Sequence, residues 1–394
     1  MAEGAPRLVT LHPVLGHDAL RRSLAGAFAR GALPAGLLLH GPAGVGKQRL
    51  GLWLAQLLLC DAPDAERGPC GACRACRLVL RLEHPDLHWF FPLPRPKGAS
   101  SPERLEDKLE EARQEALAEI REAPLRAAAQ DEPVGLFVAT SRTIRRLAHK
   151  RSSEGGRQIF LVGSAEALVP QESSPEAANA LLKLLEEPPG STHFILTSAE
   201  PHALLPTIRS RLLHLHLAPL PTPDVERALI EWADAAPPAA AVAARLGRGS
   251  LGRALGFLPD AGGPGALERV RSEALGFVRA ALSPRPDGAY AYAVGASVAG
   301  GRGLAPLLDE TAQWLRDLAA VAAGLEDQVV SVDQLELLGR IQRALGTPAD
   351  RYGPAVDAVF EARALAQGNA NPQLLLFHLS QRLRELLHAQ AVAS

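Results

Sequence analysis

The chain has 394 residues, 47% of them hydrophobic and 22% charged, with a formal net charge of −1. That length accommodates two or three domains with ample cores, and the balance excludes a molecule-wide basic surface for nucleic acid or an acidic tail. No apolar run reaches the ~18–20 residues of a membrane span, and Met1-Ala2-Glu3-Gly4 lacks the basic-then-apolar pattern of an export signal, so a cytoplasmic protein with no membrane partner is expected.

Leu20, Leu24, Ala27 and Phe28 recur at helical spacing and predict a first helix within residues 11–33. The apolar run Gly36-Leu37-Leu38-Leu39-His40 then reads as a buried strand. It is followed by Gly41-Pro42-Ala43-Gly44-Val45-Gly46-Lys47-Gln48 and by a periodic stretch from Arg49 to Leu59, with Leu50, Trp53, Leu54 and Leu57 on its buried side. Strand, glycine-rich loop and helix form the frame of a phosphate-binding loop. Gly41, Gly44 and Gly46 let backbone N–H groups turn toward a phosphate, the helix offers its positive end, and Lys47 reaches for the terminal phosphates. The next position, where a Ser or Thr hydroxyl would hold Mg²⁺, is Gln48. ATP or ADP is the expected ligand and hydrolysis is not expected; a glycine turn without a ligand is the bland alternative.

All four cysteines follow closely: Cys60, Cys70, Cys73 and Cys76, spaced C-x9-C-x2-C-x2-C with Gly68, Pro69 and Gly71 supplying turns. Four thiolates complete a tetrahedral Zn²⁺ shell with no position open for water, so a closed structural zinc is predicted. A cytoplasmic chain disfavours disulfides, and a redox pair would leave two cysteines unexplained. Residues 84–92 read as a short strand ending at Pro92, with His84 and His88 as polar strand-edge residues, and a full four-cysteine shell leaves His84 no metal vacancy.

From Ser101 to Glu122, eight acidic and four basic residues surround the stripe Leu105, Leu109, Ala112, Ala116, Ile120. This predicts a charged helix between Pro102 and Pro124, its charges read as a solvated face. Arg142, Arg145, Arg146, Lys150 and Arg151 form one local basic cluster, open to nucleic acid or to simple helix-surface charge. Gln158 to Val162 reads as a buried parallel strand. In a hydrolysing P-loop ATPase an acidic pair stands at the end of such a strand, to organise Mg²⁺ and the attacking water. Here Gly163 and Ser164 hold those places, and Glu166, two residues on, is expected to point elsewhere. A helix from Ala177 to Glu187 is stopped by Pro188-Pro189. It leads to the strand His193 to Ser198, whose polar end brings Thr197 to the place where such folds sense the γ-phosphate.

Together, the phosphate loop, the four-cysteine insert, His84-Pro85-Asp86, Ala178-Asn179-Ala180-Leu181-Leu182-Lys183 with Leu185-Glu186-Glu187-Pro188-Pro189, and Ser210-Arg211 resemble the bacterial DNA polymerase III clamp loader, of the AAA+ class of P-loop proteins. The likeness is dense over residues 12–217 and continues through Gly247-Arg248-Gly249-Ser250-Leu251-Gly252-Arg253, which looks like the family's lid. Asn369-Ala370-Asn371-Pro372-Gln373-Leu374 looks like the start of the last collar helix. The resemblance implies an α/β fold. Residues 1–218 would form the P-loop domain with a mostly parallel sheet and a zinc module at 60–76, residues 219–262 a helical lid, and residues 263–394 an all-α oligomerisation collar. It places Arg253 at the second sensor and Arg211 as a finger reaching a neighbour's nucleotide in trans, although the family's Cys after that arginine is Leu212 here.

Gln48, Gly163 and Ser164 depart from the family's motor subunits, and no long extension follows the collar before Ser394. Both points make the chain similar to the delta-prime branch, regarded as a non-hydrolysing stator. The implied partners are the motor and delta subunits of a hetero-pentamer, with primed DNA and the sliding clamp reached through the complex. Two rivals stay open. One is a motor with displaced catalytic groups such as Glu166 or Glu187; the other is a zinc-stabilised nucleic-acid-binding module with a vestigial loop.

Overall fold

The apolar runs at residues 36–40, 158–162 and 192–198 become neighbouring strands of one sheet. The computed structural model describes residues 11–98, 101–125, 134–154, 156–168, 176–260, 262–283, 286–295, 301–366, 368 and 370–388. Contacts within the chain divide it into two units, one running up to Asp234 with Gly249–Leu255 added, the other made of Ala235–Arg248 and the chain from Gly256 on. The boundaries expected at 218 and 262 fall inside these units.

In chain order the first unit holds α1 (Asp18–Ala29), β1 (Gly36–His40), α2 (Lys47–Leu59), α3 (Arg74–Leu80), β2 (Leu87–Phe90), β3 (Leu93–Pro94), α4 (Pro102–Glu122), β4 (Val134–Gly135), α5 (Val138–Ala148), β5 (Gln158–Val162), α6 (Glu176–Glu186), β6 (Thr192–Ser198), α7 (Pro206–Arg209), β7 (Leu213–His216) and α8 (Thr222–Ala233). The main sheet has the order β2-β5-β6-β1-β7, with every neighbouring pair parallel. Leu37–Leu39 and Ile159–Val162 are fully buried, as strands covered by helices on both faces must be. Gly51 lets α2 approach that sheet, since a Cβ there would stand 2.6 Å from Leu161 Cδ1. β1 lies between β6 and β7, which come late in the chain. Its C-terminal end is therefore the crossover point at which open parallel sheets present ligand-binding loops. In register, Leu39 and His40 stand beside Thr197 and Ser198 on one side and beside Leu215 and His216 on the other.

The charged helix forms as expected, with the Ser101 hydroxyl capping it by accepting the Arg104 N–H at 3.3 Å. It packs against α5 and the small antiparallel pair β3–β4. Leu105, Leu109, Ala112 and Ala116 meet Phe91 and Phe137, as the stripe predicted. The charges are not all a solvated face, however. Arg113 is buried, donating to Glu110 at 2.8 Å and to the Trp89 carbonyl at 3.2 Å, with its guanidinium 4.9 Å from the Phe90 ring centre. An arginine can be buried when a carboxylate, a carbonyl and an aromatic face together replace its water.

In the second unit α9 (Pro237–Gly247) is followed, after α10 (Leu251–Phe257) has begun in the first, by α11 (Ala266–Ala281), α12 (Pro286–Gly295), α13 (Ala305–Ala322), α14 (Leu335–Leu345), α15 (Tyr352–Ala366) and α16 (Pro372–Leu387). No strand occurs there among the described residues. Phe277, Trp314, Leu315, Tyr352, Val359 and Leu376 lie at its core. The Asp317 carboxylate ties α13 to the next segment by accepting the N–H groups of Val330 and Ser331, each at 2.9 Å. Asn371 caps α16 as its sequence suggests, accepting from Gln373 and Leu374; Asn369 lies outside the described residues.

Candidate phosphate-binding loop and cysteine cluster

The loop is built as the motif requires. Gly41, Gly44 and Gly46 take φ of 148°, 73° and 105°, a region that side chains with a Cβ rarely adopt. A Cβ on Gly41 would clash with the Leu217 carbonyl, and one on Gly44 would stand 2.5 Å from Ser250 Oγ and 3.0 Å from the Arg253 backbone nitrogen. The Ser250 hydroxyl donates to the Ala43 carbonyl at 2.8 Å, and the Gly252 N–H donates to the Gly44 carbonyl at 3.0 Å. These bonds hold the loop through its carbonyls, and of its N–H groups those of Gly41 and Val45 donate to the carbonyls of Ser198 and Pro42.

Lys47 is buried at 8% exposure, and its ammonium donates to the carbonyls of Gly41 (2.8 Å) and Pro42 (2.7 Å). Burial pushes it down to about 8, partly opposed by the negative charge of Glu166. A glycine loop, an ammonium and the first turn of a 13-residue helix, whose initial N–H groups have no partner in the helix, together suit a phosphate.

The metal-handling positions do not suit an ion. The Gln48 carboxamide packs against Gly163, with its Nε2 2.6 Å from where a Cβ at 163 would be, so an amide fills space that a carboxylate would enter. Ser164 adopts a left-handed backbone (φ 49°), and its N–H donates to Thr197 Oγ1 at 3.0 Å. Thr197 is therefore buried and engaged in anchoring the turn after β5. Glu166 sits on a short 3-10 turn, Ala165–Leu168, and its negative charge opposes the lowering of Lys47. One carboxylate oxygen accepts the Ala199 N–H at 3.2 Å, while the other is buried without a hydrogen bond. Glu187 lies exposed beyond α6.

At the opposite end of α2, Cys60 joins Cys70, Cys73 and Cys76, the last of them on α3. All four Sγ atoms lie within 4.8 Å of one another, close to the ~3.8 Å separation of sulfurs arranged tetrahedrally about zinc. The Cys70–Cys76 and Cys60–Cys73 pairs are each 4.0 Å apart, far beyond a disulfide bond. Backbone N–H groups converge on the sulfurs: Cys70 donates to Cys60, Cys73 to Cys70 and Cys76 to Cys73, at 3.3, 3.3 and 3.4 Å. Burial pushes the Cys60 and Cys76 thiols up, whereas the N–H groups of Cys73 and Ala72 bring Cys70 down to about 6. The donor set fits a soft divalent cation and could hold one. His84 stays outside it, accepting the Asp86 N–H at 3.2 Å.

Residues 16–221, more than half of the chain, match the family described as DNA polymerase III, delta subunit. The chain belongs to that family. DNA polymerase III subunit delta' of Pseudomonas aeruginosa is 37% identical over 195 residues, covering 50% of this chain and 45% of that protein. The delta' subunit of Bacillus subtilis is 26% identical over 88% of this chain and 90% of that protein. DNA polymerase III subunit tau of Escherichia coli is 28% identical over 86% of this chain and 45% of that protein. The chain spans about half the length of the first of these relatives.

For a member of the delta subunit family, the remaining expected residues stand as follows. Arg211 is paired at the surface, with its guanidinium on Glu186 and donating to the Thr207 carbonyl at 2.6 Å. Arg209, two positions earlier, meets His202 at 3.2 Å. The Arg253 N–H donates to Ser250 Oγ at 3.1 Å, at the beginning of α10 beside the loop. Arg142, Arg145, Arg146, Lys150 and Arg151 are exposed on and just beyond α5. Sequence reasoning missed the contact between Gln48 and Gly163, which are far apart in the chain, and the electrostatic reach of Glu166. A cue for the first was present in the paired loss of both metal-handling residue types.

Proposed function

We propose that this chain is a delta'-like subunit of a DNA polymerase III clamp loader, supporting ATP-driven placement of the sliding clamp on primed DNA without hydrolysing ATP itself. The observation that carries the non-hydrolysing part is Gln48 lying against Gly163. Where a motor needs a hydroxyl and a carboxylate around Mg²⁺, this chain has an amide and a hydrogen atom. Its partners are motor and delta subunits of a hetero-pentamer, with DNA and clamp engaged through the assembly in the cytoplasm.

In this reading the α2 loop holds ATP or ADP through backbone N–H groups, Lys47 and the helix end, with Thr197 and Arg253 beside it. The cysteine cluster holds one structural Zn²⁺. Residues 1–218 act as the P-loop domain, 219–262 as the lid and 263–394 as the collar. Arg211 leaves Glu186 to reach a neighbour's nucleotide. An exposed ion pair contributes less than ~1 kcal/mol, so that release costs little.

One observation favours a second reading, a motor with displaced groups. Glu166 offers a buried, unbonded carboxylate oxygen whose charge is felt by Lys47. Steady-state ATP turnover by the purified chain and by its Lys47→Ala variant separates the two. The stator reading expects both at background, and Lys47-dependent turnover comparable to P-loop motors overturns it. Capture of the tagged chain with motor and delta subunits tests the partnership, and a solitary chain would favour the nucleic-acid-binding module.

A further inference from the structure

A cavity of about 350 Å³ lies between the segment Leu11–Val14, α2 and the cysteine-bearing loop, and no residue from Gly41 to Gln48 lines it. Four groups that carry or can carry positive charge line it from four parts of the chain: His12 ahead of α1, Arg21 on α1, Arg49 on α2 and Arg67 in the cysteine loop. Among the described residues, the Asp18 carboxylate pairs with Arg21, and the Asp64 carboxylate accepts the Arg67 backbone N–H at 2.7 Å and feels the Arg67 charge.

Arg49 has neither an ion pair nor a hydrogen bond among the described residues. Burial brings it down to about 10, and its charge adds to burial in holding His12 down. A half-buried guanidinium without a counter-charge carries a desolvation cost, and a cleft lined by one sign of charge in low-dielectric walls concentrates counter-ions. The walls are also fixed. Trp53 stands against Gly68, where any Cβ would clash with the indole, and it carries the Arg21 guanidinium 5.9 Å from its ring centre. Gln56 is tied to the Cys76 carbonyl at 3.3 Å, and the His12 ring stacks on Trp232 at 5.1 Å.

We propose that this cavity binds a phosphate-bearing anion, with Arg49 and Arg67 as the guanidinium forks and Arg21 and His12 supplying the surrounding field. Guanidinium groups match phosphate oxygens in pairs, and the aromatic wall suits a ligand whose phosphate is attached to a planar group. A free polyphosphate and a phosphate of a nucleic-acid strand present the same chemistry.

The test is calorimetric titration of the full-length, metal-loaded chain at low ionic strength. Pyrophosphate and a short 5′-phosphorylated oligothymidylate serve as separate probes, in the Lys47→Ala background so that the loop is out of play. One site should remain there, weakened roughly tenfold by Arg67→Ala and more by Arg49→Ala. Arg67 is exposed, so its variant reads binding without disturbing the fold, and unchanged metal content and melting validate Arg49→Ala. Binding of pyrophosphate alone identifies a free anion as the ligand, whereas oligonucleotide binding displaced by pyrophosphate identifies a strand phosphate. No binding of either probe in the Lys47→Ala chain overturns the proposal. So does binding that both arginine substitutions leave unchanged.

Discussion

The two ends of α2 differ in what they have kept. At its C-terminal end four cysteines able to hold a metal are present, with backbone N–H groups donating to three of their sulfurs. At its N-terminal end the backbone cradle is intact, but the side chains that would handle metal and water are gone, with Gln48 lying against Gly163. A closed metal site depends on every ligand at once. A phosphate loop depends mainly on backbone geometry, so its scaffold outlasts its chemistry. The comparison teaches that shape and reactivity are separable at one end of this helix and inseparable at the other.

The sharpest way to break the comparison is at the metal end. The chain should carry about one Zn²⁺, and Cys73→Ser should remove it, destabilising the loop between α2 and α3 by several kcal/mol. Metal analysis and limited proteolysis of residues 61–72 read this, and full occupancy with unchanged cleavage would refute it. Next in size is Arg211→Ala in a reconstituted loader. Arginine fingers are worth roughly 10³–10⁵ at a single nucleotide, so completed clamp loading should fall strongly while bulk hydrolysis falls partly. Arg209→Ala is the control, and equal, negligible losses from both would leave Arg211 as a surface ion pair.

A smaller effect concerns pH. Because burial lowers Lys47 in the folded chain to about 8 from 10.5, the unfolded chain binds more protons between those values, and stability gains with rising pH there. Lys47→Met should therefore be favoured relative to the native chain below pH 8, by at most a few kcal/mol. That difference should shrink as the pH approaches 10.5. Denaturant titrations at pH 7 and pH 10 measure it, and a pH-independent difference would contradict the assigned burial cost. The smallest effect belongs to Gln48→Thr. With Gly163 and Ser164 still lacking carboxylates, a restored hydroxyl should leave nucleotide affinity insensitive to Mg²⁺ within about threefold. A tenfold gain on adding the ion would place a carboxylate, with Glu166 foremost, at the metal.

Much of this was legible in the residues because it is local. The cysteine spacing, the glycines of the loop and the buried strands each announce themselves within a dozen positions, and the parallel sheet follows from the family resemblance they carry. What was not legible depends on distant parts meeting. Arg113 looked like one charge among twelve on α4 until the Trp89 carbonyl and the Phe90 ring came to cover it. The surroundings of Glu166 were not legible because its carboxylate meets the Ala199 N–H and feels the Lys47 charge, groups far from it in the chain. Arg211 took Glu186 as its partner, and that pairing depends on how α6 and the turn after α7 are folded together.

The glycines of the phosphate loop carry a consequence for how such motifs drift over generations. Gly41 is demanded by the Leu217 carbonyl, and Gly44 by Ser250 and Arg253, whether or not a phosphate ever arrives. Selection for folding alone would then hold both positions fixed. Lys47 is also retained by partners inside the chain, the carbonyls of Gly41 and Pro42. A lineage released from nucleotide chemistry would keep a recognisable signature long after the need for it had lapsed. Its erosion would begin at the residue after the lysine, which is where this chain already carries glutamine.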